Sequence, residues 1–240
     1  MLAHRRWDSL DGADLDWLRA KHHFRVKSSG NPAHHSIRAL IVWNDDEISP
    51  GCGFDMHEHR NVEIVTYVRQ GVLGHRDTLG SEGAIQAGDV QTMSAGSGIR
   101  HAEYNLSDVP LRLYQIWFIP RESGGQPRWH TKRFPKNERS GGFVALASGY
   151  AADKGALPIR ADARLLGAAL KAGEHLTHEI DFSCEAYLVV AAGRIEINGE
   201  PMGPLDGVAI TELSRVGIAA LEDSELVLVE TGKDTLSTST

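Results

Sequence analysis

Two short segments with histidine at a fixed spacing carry the chemistry of this sequence. His57 and His59 lie two residues apart in GFDMHEHRNVEIVTYV, and His101 and Glu103 repeat that spacing in GSGIRHAEYNL. Side chains at positions i and i+2 of a β-strand leave the same face, so each pair presents two donors side by side. Three neutral imidazoles and one carboxylate suit iron, nickel, manganese, cobalt, copper or zinc, and leave positions open for water or substrate. We therefore predict one divalent transition metal, bound by these four residues.

Other polar residues near these segments are expected to have supporting or surface roles. Glu63 shares a face with His57 if the strand is uninterrupted, but a rise of about 3.3 Å per residue then separates them by roughly 20 Å. Arg60 and Asn61 mark a candidate bend between them. We expect Glu63 to support the site or the fold, and we place His75 on a hairpin near the barrel mouth. The remaining histidines of the first half are predicted to be solvated: His22, His23, His34, His35 and His130.

Composition argues against several classes of partner. The net charge of −7 and the pI near 5.9 do not favour binding to nucleic acid, which depends on clustered lysine and arginine. Cys52 and Cys184 are far apart and form no C-x-x-C motif, which favours a reducing compartment. No apolar run approaches the roughly 20 residues that span a bilayer, and the N-terminal segment has no secretory core. We expect a cytoplasmic protein with no direct contact to nucleic acid or membrane.

The sequence predicts an all-β protein. Short runs of β-branched and aromatic residues alternate with glycine turns, which is typical of a sandwich or barrel. The main runs are SIRALIVW, VEIVTYV, LRLYQIWFI, AYLVVAA and ELVLVE. The best helical candidate is DLDWLRAKH, residues 14–22.

An internal repeat predicts two barrels of one type. TYVRQG, GHRDTLG and IQAGDVQTMSAGSGI, followed by LRLYQIWFI, parallel AYLVVAAG, RIEINGE and GPLDGVAITELSRVGI, followed by ELVLVE. A single β-sandwich with accidental similarity is the alternative. In the second half, His175 and His178 are three residues apart and would leave opposite faces of a strand. We therefore predict an N-terminal domain at 1–133 with the metal site, and a C-terminal domain at 134–240 without one.

The motifs together resemble those of pirin-like proteins of the bicupin class. The resemblance covers most of the chain and is carried by WNDDEISPG, GFDMHEHRNVEIVTYV, QGVLGHRDTLG, GDVQTMSAGSGIRHAEYN and LYQIWFIP. It implies two tandem cupin barrels of jelly-roll type, with one metal, usually iron, in the first barrel and none in the second. The family's metal ligands match His57, His59, His101 and Glu103. Glu58 replaces a proline that is usual between the first two ligands.

The resemblance also implies a function. Several bacterial members resemble quercetin 2,3-dioxygenases, which open the flavonol ring with O₂ and release carbon monoxide. The expected cofactor is Fe(II), with Ni, Mn, Co, Cu or Zn as alternatives, and the expected partners are a flavonol and O₂. Glu103 is the candidate catalytic residue, because a carboxylate beside the metal is within reach of a coordinated hydroxyl. The alternatives are a non-catalytic redox-sensing module with a protein partner, and a scaffold with structural zinc.

Overall fold

The computed structural model describes residues 1–25, 30–181 and 183–232, and these fold almost entirely as short strands. In chain order the strands are β1 Leu2–Arg5, β2 Gly12–Asp14, β3 Leu18–His22, β4 Leu40–Ile48, β5 Gly53–His59, β6 Glu63–Gln70, β7 Val72–Asp77, β8 Glu82–Gln86, β9 Asp89–Ser94, β10 Ile99–Asn105, β11 Leu111–Phe118, β12 Arg128–Arg133, β13 Val144–Ser148, β14 Leu157–Pro158, β15 Ala163–Leu170, β16 His175–Glu179, β17 Glu185–Ala192, β18 Ile195–Ile197, β19 Glu200–Met202, β20 Gly207–Ile210, β21 Arg215–Ala220 and β22 Ser224–Thr231. Two short 3₁₀ helices cover Trp7–Ser9 and Lys136–Arg139. No helix in this described part of the chain is long and apolar enough to cross a bilayer.

The first barrel consists of two facing sheets. The larger sheet has the order β12-β9-β6-β11-β4-β3-β2, and the smaller has the order β5-β10-β7-β8. Strand β6 shows how the pleat divides the larger sheet: Ile64 and Val68 pack inside the barrel, whereas Val65 and Tyr67 face the other half of the protein. The barrel interior is apolar at both ends, so its polar residues form a belt between two apolar clusters.

The second barrel repeats this plan. Its larger sheet has the order β1-β20-β17-β22-β15-β13-β14, and its smaller sheet has the order β16-β21-β18-β19. The turn from β18 to β19 is Asn198-Gly199, with φ of 49° and 83°, which is the backbone that a two-residue hairpin requires. Strand β1 pairs with β20, so the first residues of the chain complete a sheet of the second barrel.

A shared apolar core joins the two barrels. Trp43, Tyr67 and Tyr114 from the first half pack in one cluster with Tyr187 and Val229 from the second. The cluster is buried on both sides, so the two larger sheets form one continuous interior.

A polar network borders this core. Tyr67 donates to the Glu225 carboxylate, and Arg139 donates to the Tyr67 hydroxyl at 3.1 Å and to Glu225 at 3.2 Å. Arg139 is 1% exposed although it carries a charge. A buried guanidinium requires such partners, so the network fixes how the segment between the barrels sits on both of them.

The all-β prediction is confirmed, but the predicted helix at 14–22 is wrong. That segment contains the end of β2 and all of β3, which pair through Ala13 and Ala20. Leu18 and Ala20 are buried and Arg19 is exposed, which is the period-2 pattern of a strand on a barrel. The edge of the sheet therefore overrode the helical propensity of DLDWLRAKH.

Candidate metal centre

The inner face of the small sheet in the first barrel arranges the polar residues in rows. Strands β5, β10 and β7 are neighbours, and the register places His101 between His57 on one side and Asp77 on the other. The next row places Glu103 opposite His75. Directly opposed side chains on one face of an antiparallel sheet lie about 4.5–5.5 Å apart at Cβ, so these rows bring the donors together.

A β-bulge in β5 orients His57, which lies in the same row as His101 and Asp77. Glu103 pairs with Phe54 and His101 pairs with His57, so Asp55 and Met56 lie opposite a single residue of β10. The extra residue lets Phe54 and His57 both face the interior, although they are three residues apart. The His57 ring lies 6.2 Å from the Phe54 ring, and its Nδ1 donates to the backbone carbonyl of Asp55 at 2.7 Å. This hydrogen bond leaves Nε2 free to bind a metal.

Three of the four predicted ligands form one group. The ligand atoms of His57, His59 and His101 all lie within 4.8 Å of one another, and their ring centroids are 4.5–5.0 Å apart. Both ring nitrogens of His101 are buried without a hydrogen-bond partner. Buried polar atoms in folded proteins almost always have partners, so these orphaned nitrogens fit a bound cation.

Burial favours the neutral form of His101 and His59. Burial, followed by the neighbouring His57 and His75, lowers the pKa of His101 to about 3. Burial, followed by His101 and His57, lowers the pKa of His59 to about 4. A metal ligand must be deprotonated, so both histidines offer a lone pair at neutral pH.

Glu103 lies in the next row along β10 and is 1% exposed. Its two oxygens accept hydrogen bonds from the amides of Gln91 and Gln115, each at 2.5 Å. The amide oxygen of Gln91 accepts from Trp129 at 2.9 Å, and that of Gln115 accepts from Trp117 at 3.1 Å. Two hydrogen-bonded pairs, Trp129–Gln91 and Trp117–Gln115, therefore orient the Glu103 carboxylate.

The structure groups Glu103 with His75 and His101, whose ligand atoms also lie within 4.8 Å of one another. His101 is common to both groups, while His57 and His59 belong to the other. The predicted four-residue ligand set is thus divided between two groups that share His101, and binding of one ion by all four residues stays a prediction.

Sequence reasoning missed His75 and Asp77. His75 lies in the β7–β8 hairpin, as expected, but it is 4% exposed and its ring stacks on Trp129 at 4.8 Å. Gly83 makes room for this indole, since a Cβ there would lie 2.5 Å from Trp129 Cη2. The signal was present, because His75 and Asp77 have the same i, i+2 spacing as the two predicted ligand pairs. The solvated role given to His23 is also wrong: it is fully buried, 2.8 Å from the Tyr187 hydroxyl.

Glu63 is tied to the fold. Strand β5 ends at His59, Asn61 has a φ of 51°, and β6 begins at Glu63, so the predicted bend exists. The Glu63 carboxylate accepts from Ser94 Oγ at 2.7 Å and from the backbone N–H of Arg160, in the second half, at 2.9 Å.

Comparison with known proteins identifies the family. The pirin model matches residues 5–118, and the model of the quercetinase C-terminal cupin domain matches residues 145–231. A pirin-like protein of Caulobacter vibrioides is 53% identical over 230 residues, covering 96% of this chain and 99% of that protein. The chain belongs to the pirin family. Its fold is therefore a pair of cupin barrels, as expected.

Two further pirin relatives bear on the site. A quercetin 2,3-dioxygenase of Escherichia coli is 37% identical over 231 residues, covering 96% of this chain and 98% of that protein. The crystal structure of the bacterial pirin YhhW from Escherichia coli in complex with nickel(II) matches with a TM-score of 0.90 and 36% identity, covering 97% of this chain and all of that one. A divalent metal site is thus supported in this pirin by its His/Glu cluster and by that nickel complex.

Proposed function

We propose that this pirin is a metal-dependent dioxygenase that opens the ring of a flavonol such as quercetin with O₂ and releases carbon monoxide. The observation that carries the proposal is the group of three imidazoles, two of them half-buried, with both nitrogens of His101 unpartnered. The relatives named quercetin 2,3-dioxygenase support the substrate class.

His57, His59, His101 and Glu103 are the residues that would hold the ion, with Fe(II) as the first candidate. A divalent metal bound there would supply Lewis acidity toward a flavonol hydroxyl. The protein's own contribution is to keep His59 and His101 neutral by burial and to orient His57 with the bulge in β5.

Glu103 takes the hydroxyl proton. An ionised carboxylate has about four lone-pair positions, and the amides of Gln91 and Gln115 use only two of them. The two amides hold the carboxylate plane in place, so a free lone pair remains available to a proton from the substrate.

Aromatic side chains flank the half-open side of the site. Trp117 packs edge-to-face on His59 at 5.0 Å, and Phe54 contacts His57. Both rings are partly buried. Flat apolar walls beside the histidines suit a planar, aromatic substrate.

The test measures oxygen uptake and carbon monoxide release by protein loaded with iron, nickel, manganese, cobalt or copper and supplied with quercetin. We expect turnover with at least one metal. The Glu103→Gln variant should lose about 10²- to 10⁴-fold in kcat, since it cannot accept the proton. The exposed His130→Ala variant serves as the control. Stoichiometric metal without turnover for all five metals would refute the proposal.

A further inference from the structure

A third pair of donors, His75 and Asp77, shares the inner face of the small sheet. Strand β7 places His75 opposite Glu103 and Asp77 opposite His101. Both side chains are fully buried, and the reaction proposed above uses neither of them. His75 and Asp77 therefore lie directly beside two candidate metal ligands, Glu103 and His101.

The hydrogen bonds of Asp77 determine the tautomer of His75. Asp77 Oδ1 accepts from the backbone N–H groups of Leu79 and Ser81 at 2.8 and 3.0 Å, and Oδ2 lies 3.1 Å from His75 Nε2. Asp77 Oδ1 accepts from these two N–H groups, and a carboxylate oxygen accepts, so His75 Nε2 is the donor to Oδ2. The other ring nitrogen of His75, Nδ1, is buried and has no hydrogen-bond partner.

His75 belongs to a compact group with His101 and Glu103. The ligand atoms of the three residues lie within 4.8 Å of one another, and the residues are 4%, 1% and 1% exposed. Glu103 accepts from two neutral amides, and none of the ion pairs within residues 1–25, 30–181 and 183–232 involves it. A buried carboxylate beside the unpartnered nitrogens of His75 and His101 is the donor set of a cation site.

The geometry points to a second, inner position for a divalent transition metal, bound by His75 Nδ1, His101 and the Glu103 carboxylate. His101 and Glu103 would serve either this position or the outer one with His57 and His59, because a neutral imidazole has one lone pair. The two positions are therefore alternatives for one ion. The inner position uses no ligand from the half-exposed strand β5. This inference rests on the metal centre of the proposed function but does not depend on the reaction.

The test removes the outer position and measures cobalt(II) binding alone. The starting protein is the His57→Ala/His59→Ala double variant, whose changes are at half-buried positions of an edge strand. Equilibrium dialysis with metal analysis should find about one cobalt per chain. Adding His75→Ala should weaken binding by about 10-fold or more, whereas adding His130→Ala should leave the affinity within about twofold. No cobalt bound by the double variant, or an affinity unchanged by His75→Ala, would overturn the inference.

Crystals of the double variant soaked in cobalt give a second measurement, in case the buried His75→Ala change prevents folding. An anomalous peak about 2.1 Å from His75 Nδ1 supports the inner position, and a soaked crystal without that peak overturns it. Neither experiment contains a flavonol. Cobalt at the inner position of the double variant, together with no turnover by the wild-type protein with any of the five metals, would refute the dioxygenase alone. Turnover by the wild-type protein, together with no inner cobalt in the double variant, would refute this inference alone.

Discussion

The two amides on Glu103 make a quantitative prediction. Gln115→Met keeps the side-chain volume but removes the 2.5 Å donation to Glu103 Oε2. A hydrogen bond to a charged group contributes about 1.5–3 kcal/mol. Without this donor the buried carboxylate of Glu103 is held less firmly in the orientation that would bind the metal. If the whole loss falls on the metal-bound state, affinity decreases by about 10- to 150-fold, since 1.4 kcal/mol is a factor of ten.

The assay is nickel(II) or cobalt(II) titration against a chelator of known affinity. Gln91→Met removes the equivalent amide on the other oxygen and should cost a similar factor. Gln70→Met is the matched control, because Gln70 donates to the Pro110 carbonyl and belongs to the same barrel. A folded Gln115→Met protein whose metal affinity stays within about twofold of wild type would show that the amides do not support the ligand.

Three further changes test other parts of the site. His101→Ala should abolish stoichiometric metal binding while His130→Ala retains it, and equal metal contents would contradict the assignment of His101. Asp46, which is buried, has its pKa raised to about 8 by burial, then by Asp45 and Glu103. Its protonated form belongs to the folded state, so the stability it provides is present below the unfolded pKa of about 4 and is lost as pH rises toward 8. The free energy of unfolding of the metal-free wild-type protein, measured with denaturant, should therefore fall by up to about 1.4 kcal/mol per pH unit over this range. This slope should be absent in Asp46→Asn and kept in the exposed Glu58→Gln. Glu63→Gln should lower the free energy of unfolding by about 1–3 kcal/mol without changing metal affinity, because it bonds the two halves together; a large loss of metal affinity would show that it supports the site.

The strands and the shared faces of the two candidate donor pairs were predictable because they depend on local periodicity. A period of two places His57 with His59 and His101 with Glu103, whatever the rest of the chain does. The bulge in β5 was not predictable, since it depends on how β5 pairs with β10. For the same reason the sequence could not show that Glu103 groups with His75.

Burial was harder to predict than strand position. The sequence predicts a solvated His23 and places His75 on a hairpin near the barrel mouth, yet both are buried by residues distant in the chain: Trp129 covers His75 and Tyr187 contacts His23. The helix expected at 14–22 failed similarly, because pairing of β3 with β4 decided that segment. Contacts between residues that are distant in sequence cannot be inferred from a single sequence.

The interiors of the two barrels differ in polarity: the second is apolar, whereas the first contains the polar residues of the candidate metal centre. In the second barrel, strands β17 and β22 place Leu188 and Leu228 in an apolar core. The corresponding strands β6 and β11 of the first barrel place Thr66 and Gln115 in its polar belt. A polar interior contributes little net stability even when every group is hydrogen-bonded, so the first barrel needs apolar burial elsewhere.

The shared core between the barrels provides that burial. Trp43, Tyr67 and Tyr114 lie on the outer face of the first barrel and are each at most 1% exposed. An aromatic side chain buries about 150–250 Å², which at about 25 cal/mol per Å² is at most about 4–6 kcal/mol each. The second barrel therefore stabilises the first one from outside, which allows the interior of the first to be polar enough to bind a metal.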